Sequence, residues 1–196
     1  MDASYMDLGN TMNRNVVIVS VLTFVAACAG QPDYRQIEAV PQTVSKVDLD
    51  RYMGRWHEVA RYPNSFEKGC LDTLAEYTLK QDGSVSVVNS CTLADGKTKR
   101  AEGRARVVDG SNGARLKVRF APAWIPFAEG DYWIFHLEPD YSAALVGDPD
   151  GKYLWILARS PQPEQAVLVR VLAKAEALGF ETAPLEYAGT VSSEDL

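Results

Sequence analysis

The chain has 196 residues, 46% of them hydrophobic, and a formal net charge of −6. This composition supports one sizeable core and leaves little sequence for a second full domain. A moderately acidic chain lacks the basic surface that nucleic acids need, so nucleic acid is excluded as an expected partner.

The first part of the chain has the layout of a secretory signal. From Met12 it reads "MNRNVVIVSVLTFVAACAG", in which one arginine precedes an apolar stretch and a run of small residues. The apolar stretch is too short to span a bilayer stably. We therefore predict that residues 1–27 form a leader that is removed. Residues 1–11 lack this pattern, and two alternatives stay open for them: translation that starts at Met12, or an extended leader.

The stretch "VAAC" at residues 25–28 resembles the lipobox of bacterial lipoproteins. In those proteins the cysteine is alkylated by a diacylglyceryl group and becomes the mature N-terminus, so Cys28 is the predicted lipidation site. Acyl chains anchor a protein firmly, because each buried methylene contributes ~0.8 kcal/mol. The alternative is ordinary secretory cleavage followed by a free Cys28. Ala29 stands where an aspartate would favour an inner membrane, so we expect an outer-membrane lipoprotein that faces the periplasm, in a cell with an outer membrane.

The folded domain is expected to cover residues 47–196. Residues 28–46 are predicted to be a lipidated tether, because residues 29–46 contain two prolines, few apolar residues and no periodicity. Short β-branched and aromatic runs follow, separated by turn signals that include Asp-Gly pairs. They predict eight strands, near residues 55–62, 73–81, 84–91, 98–108, 114–120, 130–138, 142–147 and 153–159.

Eight antiparallel strands in simple succession predict an all-β fold, a closed up-and-down β-barrel. After the last strand, "PEQAVLVRVLAKAEALGF" places apolar residues at helical spacing, and Gly179 stands where the helix would end. A helix with one apolar face must pack against a surface. We therefore predict a C-terminal α-helix on the outside of the barrel.

Three short motifs connect these elements to a known family. They lie at the start of the first strand, between two late strands and at the end of the last strand, and they contain Gly54, Trp56, Asp140, Tyr141 and Arg159. Their order and spacing resemble the signature of the lipocalins, over nearly all of residues 47–190. Within the family the chain is similar to the branch of bacterial outer-membrane lipocalins and apolipoprotein D. The resemblance implies a barrel with an internal ligand cavity.

The resemblance also implies structural roles for the motif residues. In lipocalins the arginine at the position of Arg159 lies over the tryptophan at the position of Trp56 and closes the barrel floor. Side chains alternate along a strand. Trp155 and Leu157 should therefore face the cavity together with Arg159, while Ile156 faces outward.

Further cavity positions follow from the same resemblance. Aromatic and hydrogen-bonding groups suit a ligand with an acyl chain and a polar head. The predicted ligand-binding residues are Tyr77, Asn89, Phe120, Tyr132, Trp155 and Leu157. The alternative for each residue is an ordinary place in a β-sheet core.

The chain lacks the motifs of metal, nucleotide and hydrolase sites. His57 and His136 have no partners at metal-ligand spacing. There is no Gly-x-Ser-x-Gly elbow and no phosphate-binding glycine loop. We therefore expect no metal, no cofactor and no enzymatic activity.

Cys70 and Cys91 lie at the outer ends of the second and third predicted strands, which form one hairpin. In an oxidising compartment we expect a disulfide, which closes a loop of about twenty residues and contributes ~3 kcal/mol. An unpaired thiol in the cavity, or a cavity carboxylate, would support the alternative function, a lipocalin-type enzyme that acts on a bound lipophilic ligand.

The expected function is to bind fatty acids, lysophospholipids or similar amphiphiles, for lipid storage or transport in envelope maintenance. The expected partners are this ligand and the membrane that holds the lipid anchor. A homodimer is left open, because members of the family dimerise. A structural envelope lipoprotein with a filled barrel is a third alternative.

The stretch "APAWIPFAEG" at residues 121–130 joins the fifth and sixth predicted strands and is apolar for a loop. Counting hairpins from the floor places it at the open mouth of the barrel. Three explanations remain open for the segment from Trp124 to Phe127: it caps the cavity, forms a dimer contact, or enters a bilayer surface, where tryptophan is favoured.

Overall fold

A computed structural model describes residues 31–122, 125 and 128–189. The predicted leader at residues 1–27, the lipidation site Cys28, and Trp124 and Phe127 of the mouth loop lie outside this part of the chain. The predictions made for them stay predictions.

The structure is an antiparallel barrel with one helix on its outer side. A short helix, α1 (Leu49–Tyr52), precedes the first strand, and a longer one, α2 (Gln165–Ala177), follows the eighth. The strands are β1 (Gly54–Arg61), β2 (Cys70–Leu79), β3 (Val85–Leu93), β4 (Thr98–Val107), β5 (Arg115–Arg119), β6 (Glu129–Leu137), β7 (Ala143–Gly147), β8 (Leu154–Ala158) and β9 (Glu186–Tyr187).

Each strand from β1 to β7 pairs with the next one, and β1 also pairs with β8, which closes the barrel. The predicted eight-stranded up-and-down barrel is therefore confirmed. β9, which the sequence analysis did not predict, adds two residues to the edge of β1 at Ala60 and Arg61. β2 begins earlier than predicted, because Cys70 already pairs with Leu93 of β3, before a bulge that ends at Asp72.

The helix α2 packs on the outside of the barrel, as predicted. Its buried residues Leu168, Val171 and Ala175 belong to a hydrophobic cluster with outward-facing residues of β1, β7 and β8. Gly179 has a φ of +85° and follows the helix end, where the left-handed conformation favours glycine. The burial of its apolar face holds α2 against the sheet, and the turn at Gly179 ends the helix.

The segment predicted to be a lipidated tether, residues 28–46, lies against the barrel within its described part, residues 31–46. The ring of Tyr34 lies 4.8 Å from the ring of Tyr62 of the barrel, and the backbone N–H of Val44 donates to the carbonyl oxygen of Ile134 at 3.0 Å. Arg35 Nε donates to the carbonyl oxygen of Leu178 behind α2 at 3.0 Å. The prediction missed this packing because isolated apolar residues in an extended segment have no periodicity.

Candidate functional site

One end of the barrel is closed by Arg159 and Trp56. The guanidinium carbon of Arg159 lies 3.8 Å from the centre of the Trp56 ring, which is fully buried. The nitrogens of Arg159 donate, at 2.7–3.2 Å, to the backbone carbonyl oxygens of Arg51, Tyr52, Met53 and Arg55. Gly54 has a φ of +93°, a conformation in which side chains are strained, and it turns the chain from α1 into β1. This end is the floor of the barrel.

The turn between β6 and β7 holds α1 in place at the floor. The Tyr141 hydroxyl accepts a hydrogen bond from the backbone N–H of Asp48, the N-cap of α1, at 2.9 Å. The Arg51 guanidinium lies 4.0 Å from the centre of the Tyr141 ring. Asp140 accepts a hydrogen bond from the backbone N–H of Ser142 at 3.0 Å, which fixes the turn. The five motif residues thus meet in one structural unit, far from the open mouth.

Above the floor the barrel encloses a cavity of about 910 Å³, a size suited to small molecules. The six residues predicted for ligand binding all line it: Tyr77, Asn89, Phe120, Tyr132, Trp155 and Leu157. Along β8 the side chains alternate as predicted, because Trp155 and Leu157 line the cavity while Ile156 is buried in the cluster under α2.

Three tyrosines form the deep end of the cavity. The Tyr132 hydroxyl lies 2.8 Å from the Tyr52 hydroxyl and 3.2 Å from the Tyr77 hydroxyl. Burial raises the pKa of Tyr77 to about 12 and those of Tyr52 and Tyr132 well above their ordinary value. All three phenols are therefore neutral and serve as hydrogen-bonding groups. Tyr52 was not predicted to line the cavity, because it lies in α1 and not in one of the predicted strands.

Two carboxylates line the cavity wall nearer the mouth, and a buried arginine contacts both of them. Glu58 and Glu67 both line the cavity, and Arg61 Nη1 donates to Glu58 Oε1 at 2.7 Å. Glu67 Oε2 lies 3.8 Å from Arg61 Nε and accepts a hydrogen bond from Trp155 Nε1 at 3.1 Å. Burial and the nearby Glu67 raise the pKa of Glu58 to about 8, against the opposing effect of Arg61.

A β-bulge explains why this charged group is inside the barrel. The pairing of β1 with β8 shifts register between Glu58 and Ala60. Val59 and Ala60 both join the hydrophobic cluster under α2, so Arg61 returns to the same side as Glu58. Strict alternation along β1 would instead place Arg61 outside. Arg61 was not predicted because nothing in the local sequence marks the bulge, and Glu67 was not predicted because it lies in the loop between β1 and β2.

The mouth of the barrel carries aromatic side chains and the disulfide. Phe66 is 57% exposed, and its ring lies 5.7 Å from that of Tyr153. Cys70 and Cys91 are joined in a disulfide with their Cα atoms 5.4 Å apart, which is the pairing expected from the sequence. Neither cysteine offers a thiol to the cavity. Phe120, 45% exposed, lies against Gly103, where a Cβ atom would approach its ring to 2.8 Å.

The described geometry has counterparts among known proteins. A comparison with protein families matches residues 47–190 to the lipocalin-like domain. The chain belongs to the lipocalin family. The match covers the barrel, the floor motifs and α2, so the resemblance seen in the sequence is confirmed.

Named relatives of this lipocalin come from bacteria, plants and animals. It is 37% identical to the outer membrane lipoprotein Blc of Vibrio cholerae over 176 residues, which covers 89% of this chain and 97% of that protein. It is 40% identical to temperature-induced lipocalin-1 of Arabidopsis thaliana over 149 residues, 74% of this chain and 80% of that protein. Apolipoprotein D of Rattus norvegicus is 31% identical over 139 residues, 62% of this chain and 65% of that protein.

Solved structures support the fold. Insecticyanin from the tobacco hornworm Manduca sexta superposes on this lipocalin with a TM-score of 0.63 and 22% identity, over 84% of this chain and 89% of that one. At this identity the comparison shows the barrel architecture alone.

Two further findings concern the part of this lipocalin that the structure describes. There, no three histidine, cysteine, aspartate or glutamate side chains lie together so that they could hold a metal ion. No helix in the same residues is long and apolar enough to cross a membrane.

Proposed function

We propose that this lipocalin binds fatty acids, lysophospholipids or similar amphiphiles in its cavity. The observation that carries the proposal is the cavity itself, about 910 Å³ in volume, with an apolar interior and a charged group on one wall. Val87, Ala105 and Leu116 supply aliphatic surface in the interior. Transfer of an acyl chain into this interior is favourable by ~0.8 kcal/mol for each buried methylene.

The place of action in the proposal is the cell envelope. Four relatives of this chain carry the name outer membrane lipoprotein, among them the Vibrio cholerae protein. The "VAAC" stretch ending at Cys28 supplies the matching attachment site. We infer an outer-membrane lipoprotein, facing the periplasm, that stores or transfers lipids.

Binding without catalysis is the mechanism we propose. A thiol-based reaction on the ligand would need a free cysteine, and Cys70 and Cys91 are bonded to each other. The cavity carboxylate Glu58 is paired with Arg61. This pair of charged groups suits the recognition of a ligand's polar head, which an amphiphile brings into the cavity.

Two measurements test the proposal. Cells that express the full chain are labelled with radioactive palmitate, and we expect label in the wild-type protein and none in Cys28→Ser. The Cys28→Ser chain, free of its anchor, is then titrated with a fluorescent fatty acid, and saturable binding is expected. Wild-type protein without label contradicts the anchor, and the absence of saturable binding contradicts the ligand class.

A further inference from the structure

The charged group on the cavity wall is short of positive charge. Arg61 is the one cation within it, and it contacts three carboxylates: Glu58 at 2.7 Å, Glu67 at 3.8 Å and Glu186 at 3.0 Å. Glu186 lies on β9 and is half exposed to solvent, whereas Glu58 and Glu67 are buried and line the cavity. Glu58 and Glu67 therefore share the single positive charge of Arg61, which also pairs with Glu186.

Three polar atoms beside these carboxylates have no hydrogen-bond partner among the described residues: Thr73 Oγ1, Asn89 Oδ1 and the donor Arg61 Nε. Thr73 is 5% exposed and lines the cavity, and its Oγ1 forms no hydrogen bond among the described residues. Oδ1 of Asn89, which also lines the cavity, likewise forms no hydrogen bond among the described residues. A buried polar atom without a partner costs free energy that a bound group can recover.

These oxygens lie on the same part of the wall as Glu58. β1 pairs with β2 through His57 and Leu74, so the next residues, Glu58 and Thr73, are neighbours on the cavity side. β2 pairs with β3 through Ala75 and Asn89, which places Asn89 diagonally beside Thr73. Glu58, Glu67 and Asn89 Oδ1 on this wall can accept hydrogen bonds, the Thr73 hydroxyl can accept or donate, and Arg61 Nε beside them is an unpartnered donor.

We infer that the wall formed by Glu58, Glu67, Thr73 and Asn89 binds the ammonium group of an amine-bearing amphiphile. The inference rests on the proposed function and narrows its ligand class. A protonated primary amine brings one positive charge and three N–H donors, which match the excess carboxylate and the unpartnered oxygens. A fatty-acid carboxylate brings a further negative charge and no donor to the same place.

The rest of the cavity fits this orientation. The interior below the wall is apolar down to the tyrosines at the floor, so the acyl chain of such a ligand points toward the floor. The cationic side chains that line the cavity are Lys99 and Arg100, both on β4 near the mouth. Of these, Arg100 is paired with Glu102. β4 pairs with β3, the strand of Asn89, so the ammonium group is placed toward Glu58 and Glu67, where the neighbouring cation, Arg61, is already paired with carboxylates.

The ammonium group takes the place of a proton. Glu58 faces Arg61 on its own strand, Glu67 on the following loop and Tyr77 on β2, and its pKa is raised to about 8. Below that pH the cavity without ligand holds a proton on Glu58, which leaves for solvent when the ammonium binds. Affinity for an amine should therefore rise with pH, by up to about tenfold per unit between pH 6 and pH 8.

The test compares three ligands that differ only in the head group. Dodecylamine, dodecanol and dodecanoate, below their micelle concentrations, displace the neutral probe diphenylhexatriene from the full chain carrying Cys28→Ser. We expect dodecylamine to bind at least about tenfold more tightly than dodecanol at pH 7, and dodecanoate to bind more weakly than dodecanol. The amine preference should decrease toward pH 6.

Variants locate the preference on the wall. Glu58→Gln and Thr73→Val should each reduce the ratio between amine and alcohol, and Glu58→Gln should also remove its dependence on pH. Glu76→Gln is the matched control, because Glu76 lies on the outward side of β2, where it pairs with Arg55 at 2.8 Å. It should leave the ratio unchanged.

The outcomes separate the two proposals. If none of the three compounds displaces the probe, the proposed function fails, and this inference fails with it. If all three bind with no preference for the amine, or if the preference persists in both Glu58→Gln and Thr73→Val, amphiphile binding stands and the ammonium site is contradicted. The comparison of the three ligands on the chain with an unaltered cavity tests the ammonium site even where a cavity variant fails to fold.

Discussion

Trp155 and Ile156 are consecutive residues of β8 that face opposite sides of the barrel wall. Trp155 lines the cavity and donates a hydrogen bond to Glu67 at 3.1 Å. Ile156 is fully buried in the cluster under α2. One step along the strand therefore separates a residue placed to contact a ligand from one that holds the helix to the barrel.

This relationship predicts different effects of two neighbouring substitutions. Trp155→Ala should weaken the binding of a fluorescent fatty acid, because it removes a large apolar surface from the cavity, and Tyr77→Ala should do the same. Ile156→Ala should lower stability by about 2–5 kcal/mol and affect binding much less. Fluorescence titration and urea unfolding of the three variants provide the test. A larger binding defect in Ile156→Ala than in Trp155→Ala would reverse the assignment of the two faces.

The floor should contribute strongly to stability. Arg159→Ala removes the contact with Trp56 and leaves backbone carbonyl oxygens at the end of α1 without their donor, so the free energy of unfolding should fall by about 2–4 kcal/mol. Arg55→Ala is the control, since Arg55 is 71% exposed and its pair with Glu76 is a surface one. Its effect should stay below about 1 kcal/mol. Equal unfolding midpoints for both variants would contradict the role of the floor.

The strand alternation could be predicted from the sequence, but the bulge could not. Period-two alternation placed Trp155 and Leu157 inside once the lipocalin resemblance had placed Arg159 at the floor. In β1 one extra residue in the pairing with β8 brings Arg61 back to the side of Glu58. Such a shift depends on contacts with a distant strand and leaves no trace in local hydrophobicity. The charged wall of the cavity was therefore visible only in the structure.

Long-range contacts also explain the other differences between the predicted and the observed structure. Tyr34 and Val44 pack on parts of the barrel that are far away in sequence, so their segment resembles a linker when only neighbours are considered. The two-residue strand β9 is too short for any pattern and exists because it pairs with Ala60 and Arg61.

The disulfide should stabilise the mouth of the barrel. It joins residues 21 apart in sequence, and a loop of this size contributes about 3 kcal/mol through the reduced entropy of the unfolded chain. The double variant Cys70→Ser with Cys91→Ser should therefore have a free energy of unfolding lower by about 3 kcal/mol, measured as a lower midpoint in urea unfolding. Adding dithiothreitol should shift the wild-type protein in the same direction and leave the double variant unchanged. A reductant effect on the double variant would assign the loss to another cause.

Stability should depend on pH through Glu58. Its pKa in the folded protein is raised to about 8, above its ordinary value of 4.5, mainly by burial. The folded state therefore binds a proton more tightly than the unfolded state, and the resulting stabilisation, complete below about pH 4.5, is lost as the pH rises toward 8. Glu58→Gln should reduce this decline. Urea unfolding of both proteins at intervals between pH 5 and pH 9 measures it, and identical slopes would contradict the assignment to Glu58.

The central claim is that the cavity holds an amphiphile, and native mass spectrometry tests it most directly. The full chain carrying Cys28→Ser is incubated with total lipid extracted from the envelope of the expressing cell, freed of unbound lipid and measured intact. We predict a one-to-one complex whose added mass is that of an amphiphile with an acyl chain, and its depletion in Trp155→Ala. A wild-type spectrum that shows only the bare polypeptide would contradict the account.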